Sequence, residues 1–348
     1  MSHVLVTGGC GFVGSHVVDR LIELGHPVRV LDSLLPAAHA GTPSYLNPSA
    51  NYVFGDVADA EAVAACLDGV EAVCHQAAMV GLGLDIGDIA EYVRHNDLGT
   101  AVLLRELARA PAVSRLVLAS SMVVYGEGRY RCAEHGLVSP GPRSQEQLTE
   151  GAFEPLCPDC GRSLRPEPIP ESAPLDPRNV YAATKVHQEH LCAAFGRECG
   201  VPVTALRYHN VYGPRMPRDT PYAGVASIFR SALAAGRAPR VFEDGGQLRD
   251  FVHVQDVAEA NVLALTARPA VAGAFNVASG EPRTVLELAG ALSAAFAGTP
   301  PLEVTGEFRL GDVRHVFASP RLAAERLGFE ARSSFAEGVR EFAAAELR

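Results

Sequence analysis

The sequence predicts an α/β fold: a doubly wound parallel sheet with a smaller region of mixed α/β structure. Short apolar runs typical of strands alternate with segments of helical spacing up to residue 121. A glycine-rich turn connects the first strand to the first helix. Beyond Pro214 this alternation gives way to loops, helices and short strands. Strands and helices that alternate in this way are typical of a parallel sheet covered by helices on both faces.

The elements follow in order along the chain. His3–Thr7 is a short apolar run, Phe12–Leu24 has apolar residues at helical spacing, and Gly25 ends that helix. A second strand ends in Asp32. The pattern continues with predicted strands at 51–57, 70–78 and 114–121 and predicted helices at 59–69 and 96–110.

Residues 126–177 depart from this pattern. They hold many prolines, three cysteines and little hydrophobic periodicity, which indicates a long excursion from the main fold. After it the sequence predicts a helix over Tyr181–Gly196, a strand over 202–213 and a helix over Gly224–Ala235. The strand-like run at 273–280 is expected to return to the main sheet.

The composition fits a globular protein, with 48% hydrophobic and 20% charged residues. A formal charge of −10 argues against nucleic acid or an anionic membrane as the main partner. We see neither the basic-then-apolar form of a signal peptide nor an apolar run of the ~18–20 residues that cross a bilayer. Eight cysteines do not suggest a disulfide framework, so the expected location is the reducing cytoplasm.

The turn "TGGCGFVG" places Gly8, Gly11 and Gly14 between the first strand and the first helix. Glycine there permits a tight turn and a close approach of the backbone to a pyrophosphate, which the helix N-terminus attracts. Asp32 ends the second strand, where a carboxylate suits the two hydroxyls of an adenosine ribose and disfavours a 2′-phosphate. The sequence therefore predicts a Rossmann site for NAD rather than NADP, the alternative for Asp32 being a surface turn.

Two further positions allow a functional and a structural interpretation. Asp56, at the end of the third strand, could accept a hydrogen bond from an adenine amino group or could cap the helix that follows. Tyr181 and Lys185 lie four residues apart and therefore share one face of a helix. That spacing is often coincidence, but a nearby ammonium group favours phenolate, which would lower the tyrosine pKa and make a base for a hydroxyl proton.

These motifs occur in a characteristic order. The glycine turn, Asp32, "HQAA", "SS" and Y-x-x-x-K are followed by "RYHNVYGPR", "FEDGGQLRDFVHVQDVA" and "RLGDVRH". Over nearly its whole length the chain resembles the extended short-chain dehydrogenase/reductase family of nucleotide-sugar epimerases and dehydratases. The resemblance implies that Tyr181 is the base, that Lys185 binds the nicotinamide ribose, and that Ser121 binds the same sugar hydroxyl as Tyr181.

The resemblance also implies binding residues and a domain division. An NAD-binding domain would span 1–206, with an insertion at about 127–177 and a return at 246–279, and 207–245 with 280–348 would bind the nucleotide sugar. The residues expected to hold a tightly bound NAD are Gly8, Gly11, Phe12, Val13, Gly14, Asp32, Asp56, Val57, Ala77, Ala78, Asn96, Tyr181, Lys185 and Tyr208. Those expected to contact the nucleotide-sugar substrate are Ser121, Met122, Asn210, Phe242, Arg249 and Arg314.

The two arginines would clamp the diphosphate, for which a guanidinium is well shaped, and Phe242 would line the base pocket. The structural alternatives are solvated surface charges for the arginines and plain core for Phe242. One departure from the family pattern is His209, which stands where the family usually has phenylalanine. Its ring either alters a sugar contact or packs in place of a phenyl ring.

The residues after Ser121 bear on the reaction. Family dehydratases carry an Asp-Glu pair before "VYG" and decarboxylases a Glu, whereas this chain has Met122 and Val123, which cannot transfer a proton. The resemblance therefore implies a 4-epimerase that works through a transient 4-keto sugar. Among these the chain is most similar to dTDP-L-rhamnose 4-epimerases, and the alternatives are a UDP-hexose or UDP-uronic acid 4-epimerase and a non-catalytic NAD-binding regulator.

The excursion contains Cys132, His135, Cys157 and Cys160 within about thirty residues. "CPDC" has the spacing at which two thiolates reach one tetrahedral zinc ion, and the other two residues could complete the set. The alternatives are a redox-active or adventitious dithiol and unpaired thiols. A zinc ion here would be structural, because hydride transfer to NAD requires no metal.

Family members dimerise through two helices, which here correspond to Tyr181–Gly196 and Asn96–Ala110. The resemblance thus implies a homodimer. Leu103 and Leu107 could serve that interface or could equally face the sheet.

Overall fold

The computed structural model describes residues 2–36, 38–39, 41–81, 86–218, 224–296, 298 and 300–347. The strands are β1 Val4–Thr7, β2 Val28–Asp32, β3 Asn51–Phe54, β4 Ala72–His75, β5 Leu116–Ser121, β6 Arg129–Cys132, β7 Gly136–Val138, β8 Arg165–Glu167, β9 Val203–Tyr208, β10 Asn210–Tyr212, β11 Arg240–Val241, β12 Leu248–His253, β13 Gly273–Val277, β14 Pro282–Thr284 and β15 Glu303–Val304. The helices are α1 Phe12–Glu23, α2 Ala60–Cys66, α3 Ile89–Tyr92, α4 Gly99–Leu107, α5 Gln145–Thr149, α6 Val180–Cys199, α7 Val225–Ala234, α8 Val254–Thr266, α9 Val285–Ala294, α10 Arg321–Leu327 and α11 Phe335–Ala344. No helix among these described residues is both long and apolar enough to span a membrane.

The main sheet has the strand order β13-β9-β5-β4-β1-β2-β3, and every neighbouring pair in it is parallel. The predicted doubly wound sheet is therefore confirmed, and so is the return of 273–280 to it as β13. Side chains alternate across β1: Val4 and Val6 belong to one core cluster and Leu5 to another. The near-continuous apolar strands follow from this burial on both faces.

Helices cover the two faces of this sheet. Apolar residues of α1 and α8 pack with Val4 and Val6, whereas those of α2, α4 and α6 pack with Leu5. Leu103 and Leu107 of α4 are buried in this second cluster. Of the two uses considered for these leucines, the structure therefore selects the sheet, because their side chains lie inside the core and are not presented to a partner.

The predicted strand over 202–213 is in fact two strands in different sheets. The strand β9 stays in the main sheet, and β10 pairs with β12 in a small mixed sheet of order β10-β12-β14. The residue between them, His209, still donates its backbone N–H to Val277 of the main sheet. The segment 246–279 likewise divides, since β12 lies in the small sheet whereas α8 and β13 belong to the main layers. The small sheet shares a separate core with α7, α9 and α11.

The excursion forms its own small antiparallel sheet of order β7-β6-β8. Its two ends are tied together, because the Asp176 N–H donates to the carbonyl of Val124 at 2.9 Å. Gly126 lies at this junction with a φ of 65°, and a Cβ there would meet the Asp176 carbonyl at 2.2 Å. We call residues 126–177 the insertion.

Candidate active site

A cavity of about 400 Å³ lies at the carboxyl ends of β1 to β5 and β9. This is the edge at which open parallel sheets bind their ligands. Every residue expected to contact the cofactor lines this cavity except Asn96. The motifs that carried the prediction, although dispersed in sequence, therefore converge on one site.

The glycine turn leaves room that no side chain fills. Gly8 has a φ of 69°, and a Cβ on it would meet the backbone nitrogen of Ala77 at 2.6 Å. A Cβ on Gly14 would meet the Gly8 carbonyl at 2.2 Å, so the helix can pack this close to the turn only without one. The N-cap of α1 is Gly11, which has no side chain to occupy the first N–H groups of the helix. The space between this glycine turn and the N-terminus of α1, called the dinucleotide cradle below, fits a dinucleotide pyrophosphate.

Two carboxylates line the cavity on the side of β2 and β3. Asp32 is only 8% exposed and accepts hydrogen bonds from the backbone N–H groups of Cys10 and Leu34, both at 2.9 Å. It is thus an oriented carboxylate rather than the surface turn residue considered as its alternative. Asp56 is not the helix cap, because Asp59 caps α2; Asp56 instead accepts from Arg94 at 3.0 Å.

Asn96 holds the cavity wall rather than lining it. It lies fully buried in a π-helical turn over Val93–Leu98, and its amide bonds both the N–H and the carbonyl of Met79. The same amide donates to the hydroxyl of Thr184 on α6. Asn96 thus bridges the loop after β4 and the helix that carries Tyr181, and its expected contact with the cofactor stays a prediction.

The residues Tyr181, Lys185 and Ser121 come together as the sequence predicted. Asn179 caps α6 by accepting from Ala182 at 2.8 Å, so the helix begins at Val180 and its first turns face the cavity. The Lys185 nitrogen lies 5.8 Å from the Tyr181 ring centroid and donates to the Ala119 carbonyl at 2.9 Å.

The protein environment acts on both ionisable groups. Burial lowers the pKa of Lys185 to about 8. Burial raises the pKa of Tyr181, and a hydrogen bond with Ser121 opposes that rise. In the protein alone the surroundings therefore work against the lowered tyrosine pKa expected from the sequence, since desolvation outweighs the hydrogen bond.

The expected substrate residues divide into two groups. Ser121 and Asn210 line the cavity, and the carbonyl oxygen of the Asn210 side chain has no hydrogen-bond partner in the described part of the chain. Among the described residues that delimit the cavity, Met122, Phe242, Arg249 and Arg314 do not appear. Phe242 is instead covered by the guanidinium of Arg309, 5.2 Å from its ring centroid, a residue that the sequence analysis did not single out.

Both predicted phosphate-clamp arginines are engaged within the protein. Arg249 donates to the backbone carbonyls of Leu248, Arg314 and Val313. The guanidinium of Arg314 is 1% exposed and bonds the carboxylates of Glu154, Glu243 and Asp244 at 2.7–3.0 Å. Neither is the solvated surface charge considered as the alternative, and a phosphate could reach Arg314 only if it displaced a carboxylate. Their role as a clamp stays a prediction.

The four metal-ligand candidates also come together, outside this cavity. The ligand atoms of Cys132, His135, Cys157 and Cys160 all lie within 4.8 Å of one another.

The sequence profile of the NAD dependent epimerase/dehydratase family matches residues 4–278. A dTDP-L-rhamnose 4-epimerase of Burkholderia thailandensis is 34% identical over 97% of this chain and 93% of its own. A UDP-glucose 4-epimerase of Mycolicibacterium smegmatis is 32% identical over 96% and 95%.

Solved structures of nucleotide-sugar epimerases are also similar to this chain. The UDP-glucose 4-epimerase of Thermus thermophilus with NAD has a TM-score of 0.79 and 31% identity, and that of Thermotoga maritima with UDP-glucose has 0.80 and 30%. Each comparison covers 98% of this chain and 97% of the other. The predicted resemblance is confirmed, and the chain belongs to the NAD dependent epimerase/dehydratase family.

Proposed function

We propose that this protein interconverts nucleotide-activated hexoses that differ in configuration at C4, and that its substrate pair is dTDP-L-rhamnose and dTDP-6-deoxy-L-talose. The observation that supports this best is the group of Tyr181, Ser121 and Lys185 at the carboxyl end of β5, with a dinucleotide cradle beside it. NAD, when bound, supplies the hydride acceptor and donor. The proposal is thus a redox-neutral isomerase that needs no added cofactor.

Residues of this chain would transfer the proton of the reacting sugar hydroxyl. Tyr181 takes the proton from the sugar O4 hydroxyl and returns it at the end of the cycle, and Ser121 holds the same oxygen. The pKa of Lys185 is lowered to about 8, so its ammonium group persists at neutral pH and stabilises the phenolate by its charge. Asn210 lines the cavity, and the NH2 group of its side chain would donate to the sugar diphosphate and so orient it.

The distribution of acids in the cavity favours epimerisation over dehydration. Among the described residues that line it, the carboxylates are Asp32 and Asp56. The strand β2, which ends in Asp32, is three strands away from β5 and hence about 14 Å from Ser121 in the sheet direction. Removal of water at a sugar carbon requires a proton donor and acceptor near the reacting end, and Met122 and Val123, which follow Ser121 in the chain, can be neither.

The sugar is proposed from similarity to the Burkholderia thailandensis dTDP-L-rhamnose 4-epimerase. A UDP-hexose or UDP-uronic acid 4-epimerase is the alternative, favoured by the similarity to UDP-glucose 4-epimerases. Part of the sequence on which the finer resemblance rested, residues 221–223, lies outside the described residues. A non-catalytic regulator is disfavoured because the tyrosine–lysine pair is assembled.

We expect the purified protein to epimerise dTDP-L-rhamnose without added cofactor. Proton NMR should show a new axial–equatorial coupling pattern at C4, while mass spectrometry finds unchanged mass. UDP-galactose and UDP-glucuronate serve as comparison substrates, and faster turnover of either would replace the proposed sugar. Loss of water or carbon dioxide would contradict epimerisation, and no turnover despite bound NAD would favour the regulator.

His209 is the residue at this site that departs from the family pattern, which usually has phenylalanine here. The residue lines the cavity and is 3% exposed, and neither ring nitrogen has a hydrogen-bond partner of standard geometry among the described residues. The side chain of Asn276, whose interaction with His209 raises the pKa of the ring, is itself bonded to Tyr125, Ile169 and Ser319. Burial lowers the pKa of His209 to about 3, so the ring is neutral and can both donate and accept. We propose that it bonds a sugar hydroxyl.

His209→Phe should therefore lower kcat/KM about 3- to 10-fold, the value of one neutral hydrogen bond, and leave the bound NAD unchanged. Steady-state kinetics on the preferred nucleotide sugar measures this, with His190→Phe on the exposed side of α6 as the control. An unchanged kcat/KM would show that the ring only packs where a phenyl ring would.

The setting we propose is a cytoplasmic homodimer that keeps NAD bound. Eight cysteines in a chain of this size do not suggest a disulfide framework, which favours a reducing compartment. Ile89, Val93 and Leu98, which precede α4, are exposed apolar side chains suited to a helix–helix interface. Sedimentation equilibrium at micromolar concentration tests the assembly, and a monomer would exclude it.

A further inference from the structure

The insertion brings its four metal-ligand candidates together from two turns. Cys132 ends β6 and His135 lies in the turn that leads to β7. Cys157 and Cys160 lie in a second turn, closed by a hydrogen bond from the Gly161 N–H to the Cys157 carbonyl at 2.8 Å. These turns are distant in sequence, so their meeting is a result of the folded insertion.

The distances within this cluster match a tetrahedral site. The Cys132 sulfur lies 3.7 Å from the Cys160 sulfur and 3.7 Å from His135 Nδ1, and the Cys157 sulfur lies 3.6 Å from the same nitrogen. A zinc ion bound at about 2.3 Å to sulfur and about 2.0 Å to nitrogen sets its ligands about 3.8 Å (S–S) and about 3.5 Å (S–N) apart. These three distances are therefore close to those around one ion, and all the ligand atoms lie within 4.8 Å of one another.

The surroundings also suit bound thiolates. The Glu134 N–H donates to the Cys132 sulfur at 3.4 Å, which orients and stabilises a negative sulfur. The apolar core beneath is small: Tyr130, Cys132, Cys157 and Leu164 are the buried members of this cluster among the described residues. So small a core supplies little stability by itself, which is the circumstance in which a structural metal contributes most.

We propose that Cys132, His135, Cys157 and Cys160 bind one Zn²⁺ ion that holds the insertion in its fold. Three soft thiolates and one imidazole select zinc over magnesium or calcium, and four protein ligands leave no open position for substrate. The ion is therefore structural. The inference rests on the insertion alone and is independent of the proposed reaction.

The ion would also secure the contact between the insertion and the residues Glu243, Arg314 and His315. Glu154, three residues before Cys157, accepts from Arg314 at 2.7 and 2.9 Å and lies 2.8 Å from His315 Nε2. Arg143, also from the insertion, makes a two-pronged ion pair with Glu243. A zinc-held turn beside Glu154 thus fixes the carboxylate that occupies Arg314.

Metal analysis tests the site. Tag-free protein from zinc-supplemented cells, dialysed against metal-free buffer, should contain about one zinc per chain by inductively coupled plasma mass spectrometry. Cys157→Ser should lose most of it, whereas Cys199→Ser, an exposed thiol at the end of α6, should keep it. Retention of zinc by Cys157→Ser, or no zinc in the wild type, would overturn the proposal.

Two measurements cover the case in which the variant does not fold. Wild-type protein stripped of metal and loaded with Co²⁺ should show the visible bands of tetrahedral thiolate coordination, and their absence would count against the site. Hydrogen exchange should speed up after stripping at 129–167 and stay unchanged at 4–32, because the first strand–turn–helix unit does not contain the proposed zinc ligands. Uniform acceleration of exchange would indicate general instability instead of a zinc site. Titration of fewer than the eight thiols of the sequence, under denaturing and metal-free conditions, would indicate a disulfide in its place.

Discussion

Tyr181→Phe should lower kcat by about 10²- to 10⁴-fold, the usual contribution of a positioned proton-transfer group. The variant removes one oxygen from a residue that lines the cavity and leaves Ser121 without its phenol partner. The ring stays, and with it the contact to the Tyr92 ring at a centroid distance of 6.1 Å, so the fold should be unchanged. Turnover is measured by NMR on the preferred nucleotide sugar, and bound NAD by release and absorbance.

The control for this experiment is Tyr52→Phe. Tyr52 lies in β3, is partly exposed and does not line the cavity, so its hydroxyl should be dispensable. If Tyr181→Phe retained activity within tenfold of the wild type, Tyr181 would not be the base. If it lost NAD as well, the tyrosine would act mainly in cofactor binding.

Arg207→Met should lower the free energy of unfolding by about 3–5 kcal/mol, because it leaves a buried carboxylate without its partner. Arg207 in β9 is 4% exposed and bonds both oxygens of Glu189 in α6, at 2.9 and 2.7 Å. Glu189 also accepts from Ser120, the neighbour of Ser121. Urea denaturation at fixed NAD saturation measures the loss.

A second variant separates the ion pair from the lost packing. Arg207→Met with Glu189→Leu should recover much of the stability, since both charges then leave the interior. Arg20→Met provides the surface comparison: its ion pairs with Glu23 and Glu259 are 34–63% exposed and should contribute less than about 1 kcal/mol. A loss in Arg207→Met no greater than in Arg20→Met would show that the pair does not hold α6 against β9.

The sequence alone predicted the features whose physical cause is local. A strand buried on both faces is apolar whatever it pairs with. Position 14 requires glycine because a Cβ there would clash with the Gly8 carbonyl of the same turn, and this does not depend on any distant segment. The spacing of Tyr181 and Lys185 follows from the period of the helix. The strand–turn–helix unit and the Y-x-x-x-K face could therefore be predicted from short windows.

Only the tertiary structure decided what depends on groups distant in sequence. The sequence around Asn96 does not predict that its amide bonds Met79 and Thr184. The sequence around Arg314 likewise does not predict its ion pair with Glu154 of the insertion. The Arg207–Glu189 pair and the change of sheet at His209 likewise depend on partners that other segments supply. Burial and hydrogen-bond partners are properties of the assembled chain, whereas periodicity and turn chemistry belong to the local sequence.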